Sequence, residues 1–234
     1  MQLFYSPNIN SNEEQFTFSK EESKHIIRVL RKQEGDVLAI TDGNGHLFHV
    51  EVTLADAKNC IVKINSKETI QQHNYKLHIA IAPTKMNDRM EWFLEKATEI
   101  GIDEITPIFC DNSERKVIKK ERFEKIIQSA MKQSLQMQLP KLNDALSFKE
   151  FINTSHNGQL FIAHCEEQNK KVLRSELKPN EQYTILIGPE GDFSTKEIET
   201  ALTKKFTPVS LGNTRLRTET AGIVACHTVA LINN

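Results

Sequence analysis

The sequence predicts an α/β protein in two parts: a small β-barrel over residues 1–70 and a helix-covered, mostly parallel sheet over 74–234. Three observations carry that expectation. Short apolar runs with a hairpin-like turn fill the first part, and apolar runs alternate with helical stripes in the second. Several of the later runs end in loops built on glycine, where open α/β sheets bind ligands beyond the carboxyl ends of their strands.

In the first part LFYS, FTF, DVLAI, HLFHVEV and NCIVKI read as strands, with DGNG at 42–45 as a turn. One helix interrupts them. Ser19 followed by Glu22 makes a capping box, and His25, Ile26, Val29 and Leu30 then recur at helical spacing on a segment that also carries Lys24, Arg28, Arg31 and Lys32. His46 and His49 are spaced like metal ligands, yet they are read as sharing one strand face with no acidic or cysteine partner, so no metal is expected. SKETIQQHNYK, 66–76, lacks periodicity and reads as a linker.

LHIAIAP opens the second part. Met90, Phe93, Leu94, Ala97 and Ile100 form one helical stripe that ends at Gly101, and IDEITPIF follows as a strand. Trp92, next to that stripe, reads as core packing. The charged segment ERKVIKKERFEK, 114–125, suits either a solvated helix face or a phosphate-facing surface. LFIAH, YTILIG and PVSLG are the remaining strands, and Ser194 with Glu197 caps a helix through Ile198, Ala201 and Leu202. The segment 220–232, TAGIVACHTVALI, is apolar nearly all round and must be covered on several sides.

Composition excludes several classes. The 234 residues carry a net charge of −1, so any nucleic-acid surface must be a local patch. Four cysteines lie far apart without a Cys-x-x-Cys pair, which argues against a zinc ribbon or a secreted disulfide framework and for a reducing cytoplasm. No membrane span or leader segment is expected.

GPEGD, 188–192, sits at a strand-to-helix turn and holds two acids. Such turns usually cradle phosphate through backbone N–H groups, and Glu190 with Asp192 would repel one. A ligand with hydroxyls and a positive charge fits better. The missing G-x-G-x-x-G after the strand at 77–82 argues against a nicotinamide dehydrogenase.

GPEGDFS and LGNTRLRTETA, supported by HIIRVLRKQEGD at 25–36, KMNDRMEWFLEKATEIGIDEITPI at 85–108 and AMKQSLQMQLP at 130–140, resemble the SPOUT-class RNA methyltransferases. More closely, they resemble the ribosomal RNA small subunit methyltransferase E family. The resemblance implies a PUA-like N-terminal barrel that binds RNA and a C-terminal domain threaded as a trefoil knot. It implies S-adenosyl-L-methionine as cofactor, methylation of uridine N3 in small-subunit (16S) ribosomal RNA on the assembled particle, and a homodimer. The cofactor would lie across His164, Gly188, Glu190 and Gly191, and Ser210, Leu211, Gly212 and Leu216. Arg28, Arg31 and Lys132 would face RNA. Asp192 stands where a second glycine is common, and the turn is expected to survive because Asp tolerates positive φ.

Arg217 and Glu219 are the catalytic candidates. Arg217 would steady charge on the uridine oxygens, or else pair with a surface carboxylate. Glu219 follows Thr218 at a helix start, where stabilising the first turn explains it without catalysis. No residue identifies itself as the base that removes the N3 proton. The competing readings are a SPOUT enzyme acting on another RNA and a ribosome assembly factor without catalysis.

Overall fold

The computed structural model describes residues 2–10, 12–71, 73–166 and 170–233. Gln72, within the stretch read as a linker, lies outside them. The chain divides into two compact units, residues 1–72 with 131–139, and 73–130 with 140–234.

The first unit holds β1 (Leu3–Tyr5), β2 (Gln15–Thr17), α1 (Lys20–Lys24), β3 (Val37–Thr41), β4 (His46–Leu54) and β5 (Ile61–Thr69). Its strands form one sheet in the order β1-β3-β4-β5-β2, antiparallel except for β1 beside β3. Period-2 alternation turns Phe4, Leu38, Ile40, Phe48, Val50, Val52 and Val62 into a shared apolar core with Phe18 and Ile26. Met131–Leu139 belongs to this unit although the sequence reading leaves it in the second: Met137 is buried with Leu3, Ala39 and Leu47, and its carbonyl accepts from Thr41 Oγ1 at 3.0 Å.

Three local expectations change. Ser19 does cap α1, accepting from the Glu22 N–H, but the helix relaxes into a π turn over His25–Val29. The wider turn rotates Val29 off the buried stripe, to 65% exposure, while Ile26 stays inside. The linker reading of 66–76 fails at its start, since β5 runs through Thr69 and pairs Lys67 with Phe48. His46 and His49, three apart on a strand, point to opposite faces. His46 Nδ1 lies 2.6 Å from Asp42 and His49 Nε2 lies 3.1 Å from Glu68, so each has the acidic partner the sequence did not reveal.

The second unit continues with β6 (Lys76–Ile81), α2 (Asn87–Ile100), β7 (Glu104–Phe109), α3 (Lys120–Gln133), β8 (Lys141–Leu142), β9 (Leu146–Ser147) and α4 (Phe148–Ile152). After these come β10 (Gln159–Ala163), β11 (Lys171–Val172), α5 (Leu173–Glu176), β12 (Gln182–Ile187), α6 (Thr195–Thr203), β13 (Thr207–Ser210) and α7 (Thr218–Asn233). The last residues of α3 count with the first unit. The strand order is β11-β13-β10-β12-β6-β7-β8, with β9 also on β7, and every pairing is parallel. The parallel sheet and mixed α/β class are as the sequence predicts.

Met90, Phe93, Leu94 and Ala97 of α2 are buried, and Gly101 ends the helix at φ 104°, a left-handed conformation that glycine adopts without strain. Ser194 and Glu197 form the reciprocal capping box on α6. A second box, Ser147 with Glu150 on α4, went unread. No helix among the described residues is long and apolar enough to cross a membrane. The four cysteines are free thiols, with Cys60, Cys110 and Cys226 buried and Cys165 exposed.

Candidate functional site

Because β12, β10 and β13 are adjacent and parallel, the loops that follow them emerge at one edge of the sheet. These are the loops beginning at His164, Gly188 and Leu211, so the fold brings together His164, Gly188, Glu190, Gly191, Ser210, Leu211, Gly212 and Leu216. Two adjoining cavities lie there. One, of about 240 Å³, is lined by His164 and by Ser210 to Leu216; the other, of about 270 Å³, by Gly188 to Glu190, Asp192 and Arg215 to Thr218. Ala163, Cys165, Arg215, Leu216 and Ala221 belong to both walls.

The acids in the glycine loop are largely engaged with the protein's own backbone. Asp192 Oδ2 accepts from the Cys165 N–H at 2.7 Å and Oδ1 from the Phe193 N–H at 2.9 Å, which ties the loop after β12 to the loop after β10. It does so at φ 64°, so the turn survives without the second glycine, as expected. Glu190 Oε1 accepts from the Lys85 N–H at 2.9 Å, anchoring the loop to the segment between β6 and α2. The same residue lines the second cavity. The glycines answer first to internal packing: a Cβ on Gly188 would stand 3.0 Å from the Phe193 ring, and one on Gly191 would stand 3.1 Å from Asn112 Cβ.

His164 is the best argument for a ligand. The residue is 6% exposed, and neither ring nitrogen has a hydrogen-bond partner among the described residues. Burial holds its imidazole below the ordinary histidine value, and the nearby Lys170 ammonium pushes the same way. A neutral ring with one donor and one acceptor unspent at the wall of a cleft is costly unless a ligand uses them. Hydroxyls, ring nitrogens and a carboxylate would all serve, and S-adenosylmethionine carries each. The cleft thus fits that molecule.

Arg217 is exposed, and its position at the end of the loop after β13 puts it on the wall of the second cavity and of a third, about 400 Å³, beside α2. Glu219, in the first turn of α7, is buried; its Oε1 lies 3.8 Å from Arg89 Nε and its Oε2 has no hydrogen-bond partner among the described residues. Thr218, read as an N-cap, instead donates its hydroxyl to the Gly188 carbonyl at 3.0 Å. In the first unit Arg28 and Arg31 are exposed, and Lys132 pairs with Glu22 at 3.5 Å. Sequence reasoning missed Lys85 and Asn112, which hold the loop after β12 from 105 and about 80 residues away in the chain. No local pattern announces such partners.

The sequence matches the RNA methyltransferase domain family over residues 71–230 and the RNA methyltransferase PUA domain family over 18–65. It is 30% identical, over 90% of its length and 86% of the relative's, to the ribosomal RNA small subunit methyltransferase E of Buchnera aphidicola. Among solved structures, a probable rRNA-methyltransferase from Porphyromonas gingivalis superposes with a TM-score of 0.93 at 43% identity, covering 100% of this chain and 98% of the other. A methyltransferase from Legionella pneumophila, solved with S-adenosylmethionine bound, gives 0.87 at 28% identity over 98% and 96% of the two chains. A SPOUT-class catalytic unit, a PUA-like unit and three loops, two of them carrying glycines, at the carboxyl ends of neighbouring strands thus agree with the comparisons, and the chain belongs to the ribosomal RNA small subunit methyltransferase E family of RNA methyltransferases.

Proposed function

We propose that this chain methylates N3 of a uridine in small-subunit ribosomal RNA, on the assembled particle, as a cytoplasmic homodimer. The cofactor is S-adenosylmethionine, which when bound supplies an electrophilic methyl group on a sulfonium. The observation that carries the reading is Arg217, on the wall between the loop cleft and the open cavity beside α2. A methyl donor and an acceptor base held on either side of that wall would be adjacent.

The chain's own residues then divide the work. His164 and the backbone of the three loops hold the cofactor, with Glu190 supplying an acceptor for its hydroxyls. Arg217 stabilises the negative charge that develops on uridine O2 or O4 as N3 loses its proton. Arg28, Arg31 and Lys132 meet RNA phosphates, which positions the particle without reading sequence. The trefoil-knotted path belongs to the same reading, as does the dimer.

The test is nucleoside mass spectrometry of ribosomal RNA from a deletion strain, paired with methylation of its small subunits and its protein-free RNA by the purified chain. The expected result is N3-methyluridine missing from one position in the strain and restored at that position in the particles. Restoration of any other methylated nucleoside sinks the uridine-N3 assignment, and equal activity on bare RNA sinks the preference for the particle.

A further inference from the structure

We propose that the open cavity beside α2 is the pocket for the acceptor base, with Trp92 as its stacking face and Glu219 as the residue that takes the N3 proton. The proposal deepens the uridine-N3 reading and rests on it.

Trp92 does not pack in the core as its sequence context suggests. It falls outside the buried stripe of α2 and is 43% exposed, lining a cavity of about 400 Å³ with Asp88, Arg89, Arg217, Glu219 and Thr220. A large aromatic face left in water contributes little to stability and is available to a nucleobase, for which stacking is tolerant of base identity.

Identity must then be read at the base edge. Glu219 is 6% exposed, and its Oε2 has no hydrogen-bond partner among the described residues. Arg89 Nε, at 3.8 Å from the other oxygen, is too far to donate a hydrogen bond to it. Stabilising the first turn of α7 would explain a carboxylate here, but an exposed one would serve equally well and avoid the cost of burial. An incoming N–H removes that cost. Uridine offers one at N3, flanked by the acceptors O2 and O4, and the cavity is lined by the Glu219 carboxylate together with two guanidinium-bearing residues, Arg89 and Arg217. Cytidine has no proton at N3 and would set a lone pair against the same carboxylate. Asp88 is the remaining charged group facing the cavity.

The step balances. The N3–H bond breaks and its proton passes to Glu219 Oε2. The electron pair left on N3 forms the bond to the transferred methyl, while the pair of the breaking C–S bond stays on sulfur as a neutral thioether.

The test is single-turnover methylation of unmodified small subunits across acid to alkaline pH for Glu219→Gln and steady-state methylation at varied particle concentration for the Trp92 variants, with cofactor affinity by calorimetry and melting temperature recorded for each. Glu219→Gln should lower the rate near neutrality on the order of 100-fold. Its rate should then climb with pH, as solvent removes the N3 proton that the side chain no longer takes. Trp92→Ala should raise KM for the particle about 10-fold with kcat little changed, and Trp92→Phe should restore most of that loss. Cofactor affinity and melting should stay at parent values. A Glu219→Gln chain that keeps the parent rate and profile, or that melts early, assigns Glu219 to folding and overturns the proposal, as does an unchanged KM in Trp92→Ala. If the parent's product is not N3-methyluridine, the uridine-N3 reading fails instead, whatever the variants do.

Discussion

Asp192 does with a side chain what a glycine in its position could not. Its carboxylate bridges two loops through the Cys165 and Phe193 N–H groups, while its backbone sits at φ 64°. Asp192→Gly would relieve the backbone and lose both bonds, whereas Asp192→Ala would lose the bonds and keep a left-handed conformation that costs about 1 kcal/mol or more. Asp192→Ala should therefore melt below Asp192→Gly, and both should bind S-adenosylmethionine more weakly than the parent, by thermal shift and calorimetry. An alanine variant as stable as the glycine one would show that the turn is not strained. Arg217 tests differently, since its side chain is exposed. Arg217→Ala and Arg217→Lys should both lower turnover on the order of 100-fold at unchanged melting temperature, because lysine keeps the charge and loses the fork. A surface ion pair would cost almost nothing, so near-parent rates would return Arg217 to that role.

At the scale of elements, α7 decides how the catalytic unit meets its surroundings. Gly222 lets it approach α2 so closely that a Cβ there would stand 2.6 Å from the Phe93 ring. The opposite side of the helix is left apolar but uncovered: Leu231 is 56% exposed, His227 is exposed and Val224 is half-buried, each about one turn from the next. A homodimer through this stripe would cover it. His227→Glu or Val224→Glu should give a monomer with weakened cofactor binding in light scattering and calorimetry, and a stable monomer from the unmutated chain would end the idea. The elements themselves were readable where a local rule governs them. Ser194 with Glu197, Gly101 and the buried stripe of Met90, Phe93, Leu94 and Ala97 are signals within a few residues and are found as read, while Ile100, read into the same stripe, is only partly buried. The π turn at His25–Val29 and the continuation of β5 through Thr69 were not, because cross-strand pairing and packing override weak local preference there. The candidate site divides the same way. Its glycine loops stand out in the sequence, but Lys85, Asn112 and the exposure of Trp92 follow from contacts between distant segments that no spacing encodes.

At the scale of the molecule, the first unit is discontinuous. Met131–Leu139 supplies Met137 to the cluster with Leu3, Ala39 and Leu47, the Met137 carbonyl to the Gly45 N–H at 2.9 Å, and the Leu139 N–H to the Gly43 carbonyl at 2.9 Å. A fragment ending at residue 72 lacks all of these. Losing one buried methionine from a core costs roughly 2–5 kcal/mol, so that fragment should unfold at markedly lower urea than one carrying residues 131–139 on a short flexible linker. Coincident midpoints would mean the segment only decorates the sheet. The same discontinuity sets a clock on biosynthesis. At about 5–20 residues per second, on the order of several seconds separate the emergence of β5 from that of Leu139, and throughout them the nascent sheet exposes the apolar patch that Met137 will cover. The N-terminal half cannot finish first merely because it is made first; it waits, with a gap in its wall, for chain encoded beyond the start of the catalytic half.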